Sequence, residues 1–120
     1  MPEGHTIHGL ARAHRAVFAG RVVRLQSPQG RFAAGAAELD GRVLKDVQAY
    51  GKHLFHRWEG DAVLHIHLGL IGMFRQRDAD TPPPPSARLR LAAAGHAADL
   101  SGPMVCELID PMRQDTIVAT

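Results

Sequence analysis

Between Gly20 and Asp110 the chain is cut by turn-forming residues into short apolar runs, and this punctuation most constrains its fold. Twelve glycines and eight prolines supply many of the breaks. Segments this short suit strands, not the ~10–12 residues a core helix needs. Arg21 to Leu25 alternates weakly, and Ser27-Pro28-Gln29-Gly30 is a turn. Phe32 to Leu39 is alanine-rich and reads equally as a strand or a short helical turn. Asp40-Gly41 opens a hairpin-like connection into Arg42 to Ala49. Lys52 to Trp58 and Ala62 to Leu68 follow, joined by the turn Glu59-Gly60-Asp61. In the second run Val63, His65 and His67 lie opposite Leu64, Ile66 and Leu68. Strand patterns resume at Ala87 to Ala92, His96 to Leu100 and Val105 to Ile109.

The prolines Pro82 to Pro85 cannot pair centrally in a sheet and read as an exposed connector. Helices are expected at the two ends. From His5 to Phe18, Ile7, Leu10, Ala11, Val17 and Phe18 keep close to the 3.6-residue period, with Thr6 as cap and Gly20 as stop. Pro111 to Ala119 is a second helix, capped by Asp110 with Pro111 at its first position. The expected fold is therefore mainly β (α+β): a sandwich or barrel of many short strands, with a helix at each end.

At 120 residues this is one domain, able to bury roughly two-thirds of its unfolded surface. Hydrophobic content of 45% and charged content of 22% mark a globular chain. No apolar run approaches the ~20 residues that span a bilayer, and no signal-peptide core is visible at the start. The single cysteine, Cys106, rules out an internal disulfide framework or a Cys-rich zinc module within these residues. It reads as a buried apolar residue, and a cytoplasmic location is expected. The formal charge is only +2, but twelve of the fourteen basic residues are arginine, which favours bidentate contact with phosphate or carboxylate. Charge alone permits a nucleic-acid partner without requiring one.

Three clusters carry chemistry. The chain opens Met1-Pro2-Glu3-Gly4; loss of Met1 leaves proline's secondary amine, whose pKa of about 8 provides a neutral fraction at pH 7. Such an amine adds to an aldehyde carbon as an iminium ion, an electron sink that drives elimination of a β leaving group. Glu3 is placed to shuttle protons. In Tyr50-Gly51-Lys52-His53-Leu54-Phe55 the Gly-Lys pair at a strand mouth suits a phosphate or a developing anion; a hairpin glycine and a surface lysine look the same. In His65-Ile66-His67-Leu68-Gly69-Leu70-Ile71-Gly72, two glycines flank Leu70 and Ile71. A loop there either displays apolar wedges of the kind that enter a base stack or completes the core. His65 and His67 have chelate spacing, yet no third histidine or cysteine stands near in sequence; packed or hydrogen-bonded histidines compete with a metal site.

In this order and spacing the three clusters closely resemble the formamidopyrimidine-DNA glycosylase/endonuclease VIII family, over its N-terminal catalytic domain. The resemblance implies a two-layer antiparallel β-sandwich with flanking helices. It implies excision of oxidised bases and cleavage at the resulting abasic site by β- and δ-elimination. Pro2 would be the Schiff-base nucleophile, Glu3 the proton shuttle and Lys52 the contact to phosphate and sugar. Leu70 would fill the gap left by the flipped nucleotide, with Gly69 and Ile71 beside it. Thr6 stands where many members have a second glutamate, and Asp99 to Glu107 lacks the Arg-Arg-Phe element of the 8-oxoguanine-type enzymes. Oxidised pyrimidines are therefore the expected substrates.

The resemblance also implies what lies outside residues 1–120: a helix-two-turns-helix region and a zinc finger, so that no metal or cofactor is expected on this chain itself. Expected partners are damaged double-stranded DNA and a separate C-terminal half, with a monomeric chain, no membrane and residence in the bacterial cytosol or nucleoid. Two other readings stay open from sequence: a truncated or inactive DNA-binding module, and a fragment without activity of its own.

Overall fold

The computed structural model describes residues 4–119, with side chains from Thr6 onward. Its elements run α1 (Gly4–Phe18), β1 (Arg24–Gln26), α2 (Ala33–Leu39), β2 (Leu44–Tyr50), β3 (His53–Trp58), β4 (Ala62–His67), β5 (Met73–Asp78), β6 (Leu89–Ala93), β7 (His96–Ser101), β8 (Val105–Ile109) and α3 (Pro111–Ala119). Two four-stranded sheets form, in the orders β1-β6-β7-β5 and β2-β3-β4-β8. Every strand pairing is antiparallel. The expected sandwich with helices at both ends is the architecture found.

The core is built where the two sheets turn apolar residues towards one another. Leu44, Val47, Leu54, Leu64 and Ile66 come from one sheet, and Leu25, Leu89, Leu91, Ala98 and Leu100 from the other. Helix α1 closes it with Ile7, Ala11, His14 and Phe18, spaced four, three and four residues apart so that they form one buried stripe. Arg15 fastens the helix to β2 by donating from Nη1 to the Val47 carbonyl.

Several expectations change. Thr6 is not the cap of α1, because the helix already begins at Gly4 and Thr6 lies in its first turn. Helix α1 stops before Gly20 as expected, where the chain takes a φ of +80° and the Gly20 amide donates to the Leu44 carbonyl. The strand expected over Arg21 to Leu25 is divided: Val22 bridges Val43, and only from Arg24 to Gln26 does the chain pair with β6 as β1. The ambiguous alanine-rich segment is helical: it buries Ala36 and Leu39, and its last turn takes the Asp40 amide. Asp40-Gly41 therefore links a helix to a strand. The Asp40 carboxylate also accepts from the Leu25 amide at 2.9 Å and from Arg24.

The expected alternation in β4 is only half right. His65 is buried like its neighbours on the other face, so this central strand is enclosed on both sides, with α3 packed against it. Strand β5 is missing from the sequence reading altogether. It is an edge strand pairing with β7 alone, and Arg75, Gln76 and Arg77 give it no apolar alternation. The proline run is an irregular connector between β5 and β6, as expected. Asp110 caps α3, its Oδ1 accepting from the Arg113 amide at 2.8 Å. Cys106 is half-buried, and burial raises its thiol pKa to about 12. No described helix is long and apolar enough to cross a membrane.

Two buried polar clusters lie in the interior, one tying strands β5, β6 and β7 within their sheet and the other joining α1 to β3. Asp99 receives Arg90 through two bonds of 2.7 and 2.9 Å, and Arg77 Nε lies 3.1 Å from the same Oδ2 that takes the second of them. His14 Nδ1 meets His56 Nε2 at 2.9 Å, with the Phe74 ring edge-on to His14 at 4.6 Å. Burial depresses both imidazoles, His14 to about 4 and His56 well below the ordinary 6.5. An unfolded chain binds protons at these rings below about pH 6.5, whereas the fold resists them. Their stabilising effect is therefore complete above the ordinary value and is lost as pH falls towards the folded one. The unfolding free energy, and the urea midpoint with it, should fall as pH drops below about 6.5, with a slope approaching about 1.4 kcal/mol per pH unit for each ring by about pH 5. A midpoint constant over that range would mean that the rings titrate freely in the fold.

Candidate nucleic-acid interface at one end of the sandwich

β3 and β4 pair with His53 opposite His67, so the chain entering β3 and the chain leaving β4 emerge at the same end of the sheet. The Gly51-Lys52 turn and the Gly69-to-Gly72 loop are brought together there. Tyr50 pairs with His53, making Gly51-Lys52 a two-residue hairpin turn. Gly51 supplies the positive φ of +57° that such a turn requires, and Lys52 stands exposed at its tip.

The loop after β4 is held firmly at its base and left bare at its tip. The Gly72 amide donates to the Leu68 carbonyl at 3.0 Å, and the Gly69 amide donates to His67 Nδ1 at 3.1 Å. A Cβ on Gly72 would lie 2.2 Å from the Leu68 carbonyl oxygen. Leu70 and Ile71 do not complete the core; they are 71% and 81% exposed. Burying each would stabilise the fold by about 1.5–3 kcal/mol, so this display is a feature of the loop's geometry.

A cavity of about 400 Å³ joins this loop to α1. Thr6 and Leu10 form one wall, and Leu70, Ile71 and Phe74 the other. Pro2 and Glu3 lie outside the described residues, and α1 begins at Gly4, directly after them in sequence. A second cavity of about 460 Å³ is lined by Lys52, His53 and His67, with Val118 from α3. His67 and Leu68, adjacent in sequence, line the two cavities in turn.

Burial, with the neighbouring His65 and His67, lowers the His53 pKa. Burial, with His65 and Lys52, does the same for His67. The chelate reading of His65 and His67 finds no support. His65 bonds His53 through Nε2 and Glu107 through Nδ1, and His67 Nδ1 is taken by the Gly69 amide. Among the described residues no group of three or more such side chains is arranged to hold a metal ion.

The sequence reading missed three residues of this end. Met104 is 67% exposed beside the loop: a Cβ on Gly69 would come 3.1 Å from its own. Its amide donates to the His67 carbonyl at 2.9 Å. His53 and Glu107 bond to His65. Met104 and Glu107 lie far from the motifs in sequence, so no local spacing signals either of them.

Comparison with known proteins agrees with this fold. The chain is 50% identical over 124 aligned residues to endonuclease 8 1 of Mycobacterium tuberculosis, covering 99% of this chain and 46% of that protein. It is 36% identical over 104 residues to a formamidopyrimidine-DNA glycosylase of Acidothermus cellulolyticus, covering 77% of this chain and 34% of the relative. The chain thus spans about half the length of these curated relatives or less. Its fold matches Lactococcus lactis Fpg, crystallised with abasic-site DNA, with a TM-score of 0.83 at 18% identity, over 98% of this chain and 48% of the other. The model of the formamidopyrimidine-DNA glycosylase N-terminal domain matches residues 1–104, and the chain belongs to that family.

Proposed function

We propose that this chain is the catalytic half of a base-excision DNA glycosylase and abasic-site lyase. The observation that carries this reading is the cavity joining the first turn of α1, which follows Pro2 and Glu3, to the exposed Leu70-Ile71 loop. A reactive amine and a residue able to occupy a vacated base position are wanted at one site, because the target nucleotide must leave the stack to be attacked. Lys52, at the same end, supplies a cation for the backbone phosphate.

With Met1 removed, the Pro2 nitrogen attacks C1′ of the flipped nucleotide and the damaged base departs with the glycosidic electron pair. Glu3 moves the protons this requires. Opening of the sugar gives an iminium ion at C1′, which acidifies C2′. Loss of a C2′ proton forms the enamine, and its electrons expel the 3′-phosphate in β-elimination; δ-elimination then releases the 5′-phosphate. Leu70 fills the vacated position, with Gly69 and Ile71 shaping the loop around it. Oxidised pyrimidines are the proposed substrates, in the cytosol or nucleoid. A helix-two-turns-helix region and a zinc finger, on a C-terminal half, are proposed to grip the duplex. A charge of only +2 supports that division, since each phosphate contact needs its own cation.

Borohydride reduction in the presence of abasic-site duplex should trap a covalent adduct, and peptide mass spectrometry should locate it on Pro2. A chain shown by mass to begin at Pro2 that yields no adduct would refute the lyase reading. Lys52→Ala should weaken trapping by about tenfold or more, equivalent to about 1.4 kcal/mol. Leu70→Ala should change folding stability by less than about 0.5 kcal/mol, because the side chain is exposed, yet reduce affinity for abasic duplex. Gly72→Ala should instead cost about 1–3 kcal/mol of stability, read from its thermal midpoint, because the Leu68 carbonyl must move.

A further inference from the structure

Glu107, His65 and His53 stand on three neighbouring strands. His65 is opposite Glu107 across the β4–β8 pair and diagonal to His53 across the β3–β4 pair. Glu107 Oε2 lies 2.7 Å from His65 Nδ1, and His65 Nε2 lies 2.9 Å from His53 Nδ1. The middle ring is buried. The Glu107 side chain is 44% exposed, and His53 lines the cavity that holds Lys52 and His67.

The bonding fixes where the protons sit. A carboxylate oxygen accepts, so His65 donates from Nδ1. The neutral ring then has a bare Nε2, which accepts from His53 Nδ1–H. His53 in this tautomer keeps a lone pair on Nε2. His67 accepts the Gly69 amide on Nδ1, so its own proton is on Nε2. The residues around this cavity thus include a cation, a ring donor and a ring acceptor.

We propose that Glu107, acting through His65, is a positioning residue that makes phosphate binding beside Lys52 proton-linked, with His53 the group that takes up the proton. The proposal rests on the DNA-binding reading above. When a phosphate arrives, His53 Nε2 accepts a proton from solvent and His53 passes its Nδ1 proton to His65 Nε2. One proton enters, one moves along the existing hydrogen bond, and no heavy-atom bond changes. The positive charge comes to rest on His65, against the Glu107 carboxylate.

Without an anion, protonation at His53 is opposed by burial and by His65 and His67. The other groups near the relay do not duplicate its part. Tyr50 and Lys52 line the same cavity from the β2–β3 hairpin, and α3 adds Ile117 and Val118. Beside Glu107, the Cys106 thiol is held protonated by burial and feels the Arg88 charge, while Arg31 and Glu38 of the α2 segment line the same groove as Glu107.

Nitrogen-15 NMR of the full chain free of DNA and phosphate, at about pH 8, should find Nδ1–H on His65 and His53 and Nε2–H on His67; His65 protonated on Nε2 in that state overturns the relay. Calorimetry with a duplex carrying a tetrahydrofuran abasic analogue, in buffers of differing ionisation enthalpy, should record proton uptake near pH 7. Affinity should rise by up to about tenfold per pH unit as pH falls from about 8 to about 6. Glu107→Gln keeps the side chain's size and an acceptor oxygen at a half-exposed position; it should lose most of the uptake and most of the rise in affinity with falling pH. Equal uptake in both proteins overturns the linkage and leaves DNA binding intact. A chain that binds no duplex overturns the DNA reading instead. The linkage is then decided by whether inorganic phosphate raises the His53 titration midpoint in the wild-type chain and not in Glu107→Gln.

Discussion

The stripe Ile7, Ala11, His14 and Phe18 is the contact on which the rest of the molecule depends. It seats α1 against β2 and β3 of one sheet, and through His14 it reaches Phe74 of the other. The two sheets are thereby registered against a common helix whose first turn opens beside the 69–72 loop. Helix propensity contributes little to such a contact; burial of the apolar face does most of the work. The imidazole in the middle is tolerated because another imidazole meets it, and both remain neutral. A charged group at that point would carry a large desolvation cost.

Seating the helix this way lets one end of the sandwich differ from the remainder. The interiors of β3 and β4 are enclosed, and Leu54, Leu64 and Ile66 carry no exposed surface. At the adjoining end, Lys52, Leu70, Ile71 and Met104 all face solvent. A rigid sheet carrying exposed apolar and cationic groups at its rim fits the task of meeting a polyanion whose bases must be displaced.

Much of this was legible in the sequence because the physics was local. Strands β3 and β4 announce themselves by alternation and by the turn Glu59-Gly60-Asp61, and α3 by Asp110 and Pro111. The functional loop is visible because Gly69 and Gly72 bracket two apolar residues. Strand β5 was invisible, since an edge strand carrying Arg75, Gln76 and Arg77 needs no apolar alternation to pair. Helix α2 was undecided because its alanines favour a helix while Gly35 opposes one; the burial of Ala36 and Leu39 decides it. The Glu107–His65–His53 chain was illegible for a different reason. It is written in the register of three strands, and register is not a property of any one of them.

The display of Leu70 and Ile71 follows from that same register. Were the loop merely loose, it would fold its two largest apolar side chains back onto the sandwich and remove them from water. Instead Gly69 is pinned to His67, Gly72 to Leu68, and Met104 stands across from Gly69. The backbone cannot collapse without breaking these contacts, so the exposed surface persists as an unsatisfied hydrophobic demand. In the proposed complex, stacking within a vacated base position meets that demand. Part of the cost of unstacking DNA is then offset by surface the fold already holds exposed, and the loop need not reorganise at the moment of binding.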